Sequence, residues 1–128
     1  MSWSYWERGS DLAVEELVER AAAILEEKKG ADLVLVDLSD TTIPTRYFLI
    51  ATGENEKHVR ALAEELLERM PLSPEHEEGL PEGRWVLLDY GDFVVHIFER
   101  EARIFYDLDG LWSDKIVKRH WSPRSQAV

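Results

Sequence analysis

Asp89 and His96 are the two side chains whose types and placement come closest to a reactive pair. They lie in the run from Trp85 to Phe98, two strand-like halves joined by Tyr90-Gly91-Asp92-Phe93. A Gly-Asp loop between alternating apolar runs is a strong hairpin signal. With Gly91 and Asp92 as the loop, Tyr90 falls opposite Phe93, Leu88 opposite Val95, Val86 opposite Ile97 and Trp85 opposite Phe98. The two-residue period of a strand sends Val86, Leu88, Val95 and Ile97 to one face. Trp85, Leu87, Asp89, Val94, His96 and Phe98 go to the other. The first set is ordinary core. In the second, a carboxylate near an imidazole could begin acid–base chemistry, but a triad also needs a nucleophile. The chain has no cysteine, and the hairpin contains no serine. The expectation for His96 is therefore a hydrogen-bonded histidine at a surface or interface.

Metal and phosphate chemistry find equally little support. Carboxylates on alternate strand residues point the same way and can share a divalent ion. The only Asp-x-Asp is Asp107-Leu108-Asp109, in a helix-or-turn segment where alternate residues do not share a face. Asp40, Asp92, Asp107 and Asp109 read as loop, turn or cap residues. His58, His76, His96 and His120 show no ligand spacing. Ala51-Thr52-Gly53-Glu54-Asn55 is a strand-to-helix turn, and a helix N-terminus can bind anions. Glu54 and Glu56 put negative charge where a phosphate would sit, so this turn reads as structural. No catalytic residue, metal site or cofactor is expected.

The aromatic residues have two readings. Trp85, Phe98, Phe105, Tyr106 and Trp112 could form a second small core under the C-terminal segment, which is the expectation for Phe105 and Trp112. Trp85 shares its face with Asp89 and His96, and aromatics rimmed by polar groups mark binding hot spots. For Trp85 an interface is expected.

The elements that position these residues follow from periodicity. Ser10 is a candidate cap for a helix reaching about Lys29, with Val14, Leu17, Val18, Ala21, Ile24 and Leu25 at helical spacing and Gly30 as its stop. Leu33–Leu38 and Tyr47–Thr52 read as strands. Asn55 can cap a second helix over Glu56–Met70. Residues 71–83, with three prolines and two glycines, read as a loop. The hairpin follows, and then Arg103–Trp112 as a short helix or turn with Phe105, Leu108, Leu111 and Trp112 inward. Helices that cover apolar sheet surface give a single α/β (α+β) domain. With two principal helices mainly on one face of a mixed sheet, the Trp85/His96 face is left partly open. Residues 1–9 are expected to be a mobile segment, 10–114 the domain and 115–128 a basic tail.

A chain of 128 residues, 45% hydrophobic, suits one core. Its net charge of −11 opposes generic DNA or RNA binding, because phosphate backbones repel it. It suits a partner with a basic surface. No apolar run approaches the ~20 residues of a membrane span, and the N-terminus resembles neither a secretory signal nor a transit peptide. A soluble cytoplasmic protein is expected.

Asp32–Leu38, Thr45–Gly53, Glu78-Gly79, the block Gly83-Arg84-Trp85 through Phe98, and Arg103-Ile104-Phe105-Tyr106-Asp107-Leu108-Asp109-Gly110-Leu111-Trp112 together resemble the ribosomal silencing factor (RsfS, Iojap-related) family over about Leu12–Asp114. The resemblance implies a mixed-sheet domain similar to nucleotidyltransferases but without their activity. It also implies binding to large-subunit ribosomal protein fourteen, where the bound factor blocks joining of the small subunit and represses translation when nutrients are scarce. Carried over by position, the docking residues are Trp85, Leu87, Asp89, Tyr90, His96 and Phe98, with Arg103 more weakly. Arg46 stands where the family usually has Asp, Asn55 and His58 replace a common Ser and Gln, and Asp109 replaces Glu. These departures put any role of the second helix's turn in doubt and leave the hairpin signature intact.

Three functions compete. The leading one is a non-catalytic steric repressor of translation. A large-subunit assembly factor would use the same docking site. A metal-dependent nucleotidyltransferase would need clustered carboxylates with magnesium, and no strand supplies the pair. The free protein could also form a homodimer through its open sheet face.

Overall fold

A computed structural model describes residues 3–119, with side chains from Val14 onward. The helix α1 (Trp3–Glu27) is followed by the strands β1 (Ala31–Asp37) and β2 (Tyr47–Gly53), the helix α2 (Glu56–Arg69), and the strands β3 (His76–Glu78), β4 (Trp85–Asp89) and β5 (Phe93–Glu99). The short helices α3 (Arg100–Tyr106) and α4 (Leu108–Leu111), a single 3-10 turn and the strand β6 (Ile116–Arg119) complete the chain. The six strands form one mixed sheet in the order β3-β4-β5-β2-β1-β6. Only β2 and β5 run parallel, and α2 lies in the connection between them.

Local chemistry explains the element ends. The backbone closes α1 with Lys29 N–H on the Glu26 carbonyl and Gly30 N–H on the Leu25 carbonyl, at 3.0 and 2.7 Å. Lys29 itself takes the left-handed turn at φ 72°, so the stop falls one residue before Gly30. A side chain at Gly30 would still press on the Leu25 carbonyl. The other end of α1 differs from expectation. The helix begins at Trp3, so Ser10 lies inside it rather than at its start. Whether Trp3, Tyr5 and Trp6 dock on the body lies outside the described side chains.

At α2, Asn55 accepts from the His58 N–H as its sequence position predicts. His58 then joins the two long helices. Its Nδ1 accepts from Glu54 N–H at 2.9 Å and its Nε2 donates to the Lys28 carbonyl at 2.9 Å. His58→Ala is expected to cost about 1 kcal/mol, read as a lower denaturant midpoint, and an unchanged midpoint contradicts it.

Both helices pack on one face of the sheet. Val18, Leu25, Val59, Leu62 and Leu66 meet Leu49, Val86, Leu88, Val95 and Ile97 in the main core. The opposite face carries a smaller core of Val34, Val36, Leu38, Ile50, Phe98 and Ala102, under Leu108, Trp112 and Ile116. One segment expected as loop and one expected as tail are strands instead. His76–Glu78 pairs with β4 as an edge strand, too short and too charged to show alternation. Ile116–Arg119, expected in the basic tail, pairs with β1 and continues the sheet. The rest of that tail, with His120 and Arg124, lies outside the described residues.

Candidate partner-docking face

The hairpin register is the one its alternation predicts. Trp85 pairs with Phe98, Val86 with Ile97, Leu87 with His96, Leu88 with Val95 and Asp89 with Val94. Gly91 sits at φ 90°, which favours glycine at the first loop residue. Its N–H donates to Asp89 Oδ1 at 2.8 Å. Directly paired strand residues share a face, so the registers extend one row across the whole sheet. The row runs Glu78, Leu87, His96, Ile50, Val34, Arg119. It is acidic at one edge, basic at the other and apolar between, apart from one imidazole.

Of the seven expected docking residues, Trp85, Leu87 and Asp89 form a half-exposed strip on β4. The edge strand adds His76 and Glu78 beside them, joined to each other at 2.7 Å. His96 and Phe98 lie on the same face but beneath it, 4% and 0% exposed. Tyr90 belongs to the opposite face, buried against Phe93 with ring centroids 4.9 Å apart. Its burial, with a smaller contribution from Glu77, pushes the phenol up to about 12.

Arg103 works as a clamp. Its Nε and Nη2 hold both oxygens of Asp109 at 3.0 and 2.7 Å. Its Nη1 donates to the Asp32 carbonyl and to Thr52 Oγ1. Burial opposes the Asp109 charge, yet the Arg103 hydrogen bonds and charge outweigh it and hold that carboxyl below its usual range. Asp32 offers its carbonyl from a left-handed conformation beside a bulge in β1.

Asp89 and His96 do not hydrogen-bond to each other, and Asp89 accepts from Gly91 N–H. The Trp85 indole N–H donates to His96 Nδ1 at 3.1 Å instead. An imidazole accepting at Nδ1 carries its proton on Nε2, and that atom is buried with no partner among the described residues. Burial pulls the His96 pKa down from 6.5 to about 4. An unfolded chain therefore takes up a proton between those values that the folded one refuses. The neutral-imidazole contribution is complete above pH 6.5 and is lost as pH falls through about 4, a change on the order of 3 kcal/mol. Unfolding titrations at pH 7 and pH 4.5 should show this fall, and His96→Leu should lack that component. An equal fall in both proteins contradicts it.

The short helices differ most from expectation. Phe105 and Leu111, expected inward, are 74% and 70% exposed, whereas Leu108 and Trp112 pack inward. Ala102 and Arg103 occupy the inward side of α3. Successive helix residues turn by about 100°, so Ile104 and Phe105 face outward. Tyr106, four residues after Ala102, comes back to touch Trp85. The four-residue spacing of Ala102 and Tyr106 is the signal that sets the phase of α3, with Tyr106 half exposed beside Trp85 and Phe105 open.

The carboxylates serve the backbone and the ion pairs. Asp37 accepts from Ser39, Asp107 accepts from the Gly110 N–H, and Asp40 pairs with Lys115.

Comparison with known proteins identifies the family. Residues 11–127 match the family model described as ribosomal silencing factor during starvation. The chain belongs to the ribosomal silencing factor family. The ribosomal silencing factor RsfS of Bacillus subtilis is 35% identical over 103 residues, covering 78% of this chain and 87% of that protein. A crystal structure of a Chromobacterium violaceum protein superposes with a TM-score of 0.72 at 34% identity, over 77% of this chain and 85% of that one. A mouse protein named for mitochondrial assembly of the ribosomal large subunit is 24% identical over 102 residues, covering 75% of this chain and 45% of that protein. Membership in the ribosomal silencing factor family makes this a translation-regulating, ribosome-associated protein.

Proposed function

We propose that the protein docks through the Trp85–Leu87–Asp89 strip onto large-subunit ribosomal protein fourteen, in the cytoplasm, and sterically prevents the small subunit from joining. The observation that carries this reading is the strip itself. It is half-exposed and contiguous, and it is flanked by Glu78 and by the open tip of α3 on a chain of net charge −11. A basic ribosomal surface complements that charge, and complementary charge speeds encounter and fixes orientation. The role asks for no catalysis, only for bulk placed where the subunits meet. His96 and Phe98 act in it as the floor that supports Trp85, and Arg103 as the clamp that seats α3.

A second reading, maturation of the large subunit, is favoured by the mouse relative's name. It would use the same docking site. Co-sedimentation with purified, mature large subunits tests the common step. The protein should migrate with the large subunit and not with the small one. A folded protein that stays at the top of the gradient overturns both readings.

A further inference from the structure

We propose that the outward tip of α3, Phe105 and Tyr106, is the apolar anchor of the docking face, and that the buried His96 is the positioning residue that presets it through Trp85. This rests on the docking reading above and adds to it residues and a device.

Four rings run in unbroken contact from the core to the surface. Phe98 meets Trp85 at 4.7 Å, Trp85 meets Tyr106 at 4.8 Å, and Tyr106 meets Phe105 edge-on at 5.0 Å. Exposure rises along this line from 0% at Phe98 to 74% at Phe105. Such a stack presents a rigid apolar end at small entropic cost, which is how aromatic anchors serve interfaces. The anchor is continuous with the β4 strip through Trp85, and Asp89 and Glu78 stand on the same face. The occupant it fits is therefore the basic ribosomal protein, offering an apolar socket bordered by cations.

The indole is the hinge of this stack. Its ring is held at one atom by the hydrogen bond from Nε1 to His96 Nδ1. His96 is itself fixed, in register between Leu87 and Ile50 and 4.5 Å from the Phe48 ring. Stability alone favours an apolar residue at a buried strand position, since among the described residues the imidazole Nε2–H has no partner. What the imidazole supplies is an acceptor for the indole, and with it one orientation of Trp85, Tyr106 and Phe105.

The test measures affinity for purified large ribosomal subunits together with the NMR resonance of the Trp85 indole N–H. Phe105→Ser alters only an exposed side chain and should weaken binding about tenfold. His96→Leu fills the site without an acceptor. It should shift the indole resonance and weaken binding by a similar factor. His96→Asn keeps an acceptor where Nδ1 lies and should restore both. Wild-type affinity for Phe105→Ser, with Trp85→Ala impaired, overturns the anchor and leaves the docking reading standing. An indole resonance unmoved in His96→Leu, or affinity that Asn fails to restore, overturns the positioning role. Failure of the wild-type protein to bind removes the docking reading and this proposal together.

Discussion

Replacing Phe98 by alanine is expected to lower the unfolding free energy by about 3–5 kcal/mol, a large share of the roughly 5–15 kcal/mol that holds a small domain together. Phe98 has no exposed surface. It pairs with Trp85 on one side and Thr52 on the other, and it carries Ala102 and Tyr106 above it. Its neighbours sit on paired strands, which cannot close around the space an alanine leaves, so the cavity persists. The loss should appear as a lower urea midpoint with little change in slope. It should also loosen α3, since that short helix buries only Ala102 in the second core. A loss below about 1 kcal/mol contradicts this description of the smaller core.

Trp85→Ala is expected to cut affinity for the large subunit by more than ~1.4 kcal/mol, about tenfold. The indole is half-buried and touches Phe98, Tyr106 and His96 at once, so its removal takes away contact area and also frees the aromatic tip. Asp89→Arg should cause a comparable loss by a different route, placing a cation against a basic partner. Asp89 also accepts the Gly91 N–H, so Asp89→Asn is the informative companion. It keeps that acceptor and removes the charge. A loss confined to Arg assigns the effect to repulsion, and a loss in both assigns it to the missing carboxylate. Wild-type affinity in folded Trp85→Ala and Asp89→Arg proteins sinks the interface assignment.

The parts of the molecule that were legible in the sequence are those where one periodicity dominates. The hairpin register follows from alternation, the main-core stripes of the two long helices from helical spacing, β1 and β2 from short apolar runs, and the α2 cap from an asparagine just before the helix. What escaped has physical reasons. The strand β3 is a histidine and two glutamates between prolines and glycines, and backbone pairing with β4 defines it rather than any pattern of its own. The strand β6 looked like a basic tail because Lys118 and Arg119 follow only Ile116 and Val117. Lys118 is held there by an ion pair to Glu19 on α1.

The candidate face was legible as a set but not in depth. Alternation placed His96 and Phe98 with Trp85, yet it could not say that α3 and the neighbouring strands would bury both. Tyr90 is a docking candidate through the family resemblance alone, and its place next to Asp89 puts it on the other face. Arg103, the weaker docking candidate by family position, clamps α3 to Asp32, Thr52 and Asp109. The open tip at Phe105 was hidden because aromatic residues near a chain end look like core until the helix phase is known.

The most direct test is sedimentation of purified small and large subunits under joining conditions, with and without the protein. The expected result is loss of the joined ribosome, with the protein migrating on the large subunit, and recovery of joining when Trp85→Ala replaces the wild type. Undiminished joining while the wild-type protein is bound to the large subunit would contradict a steric block.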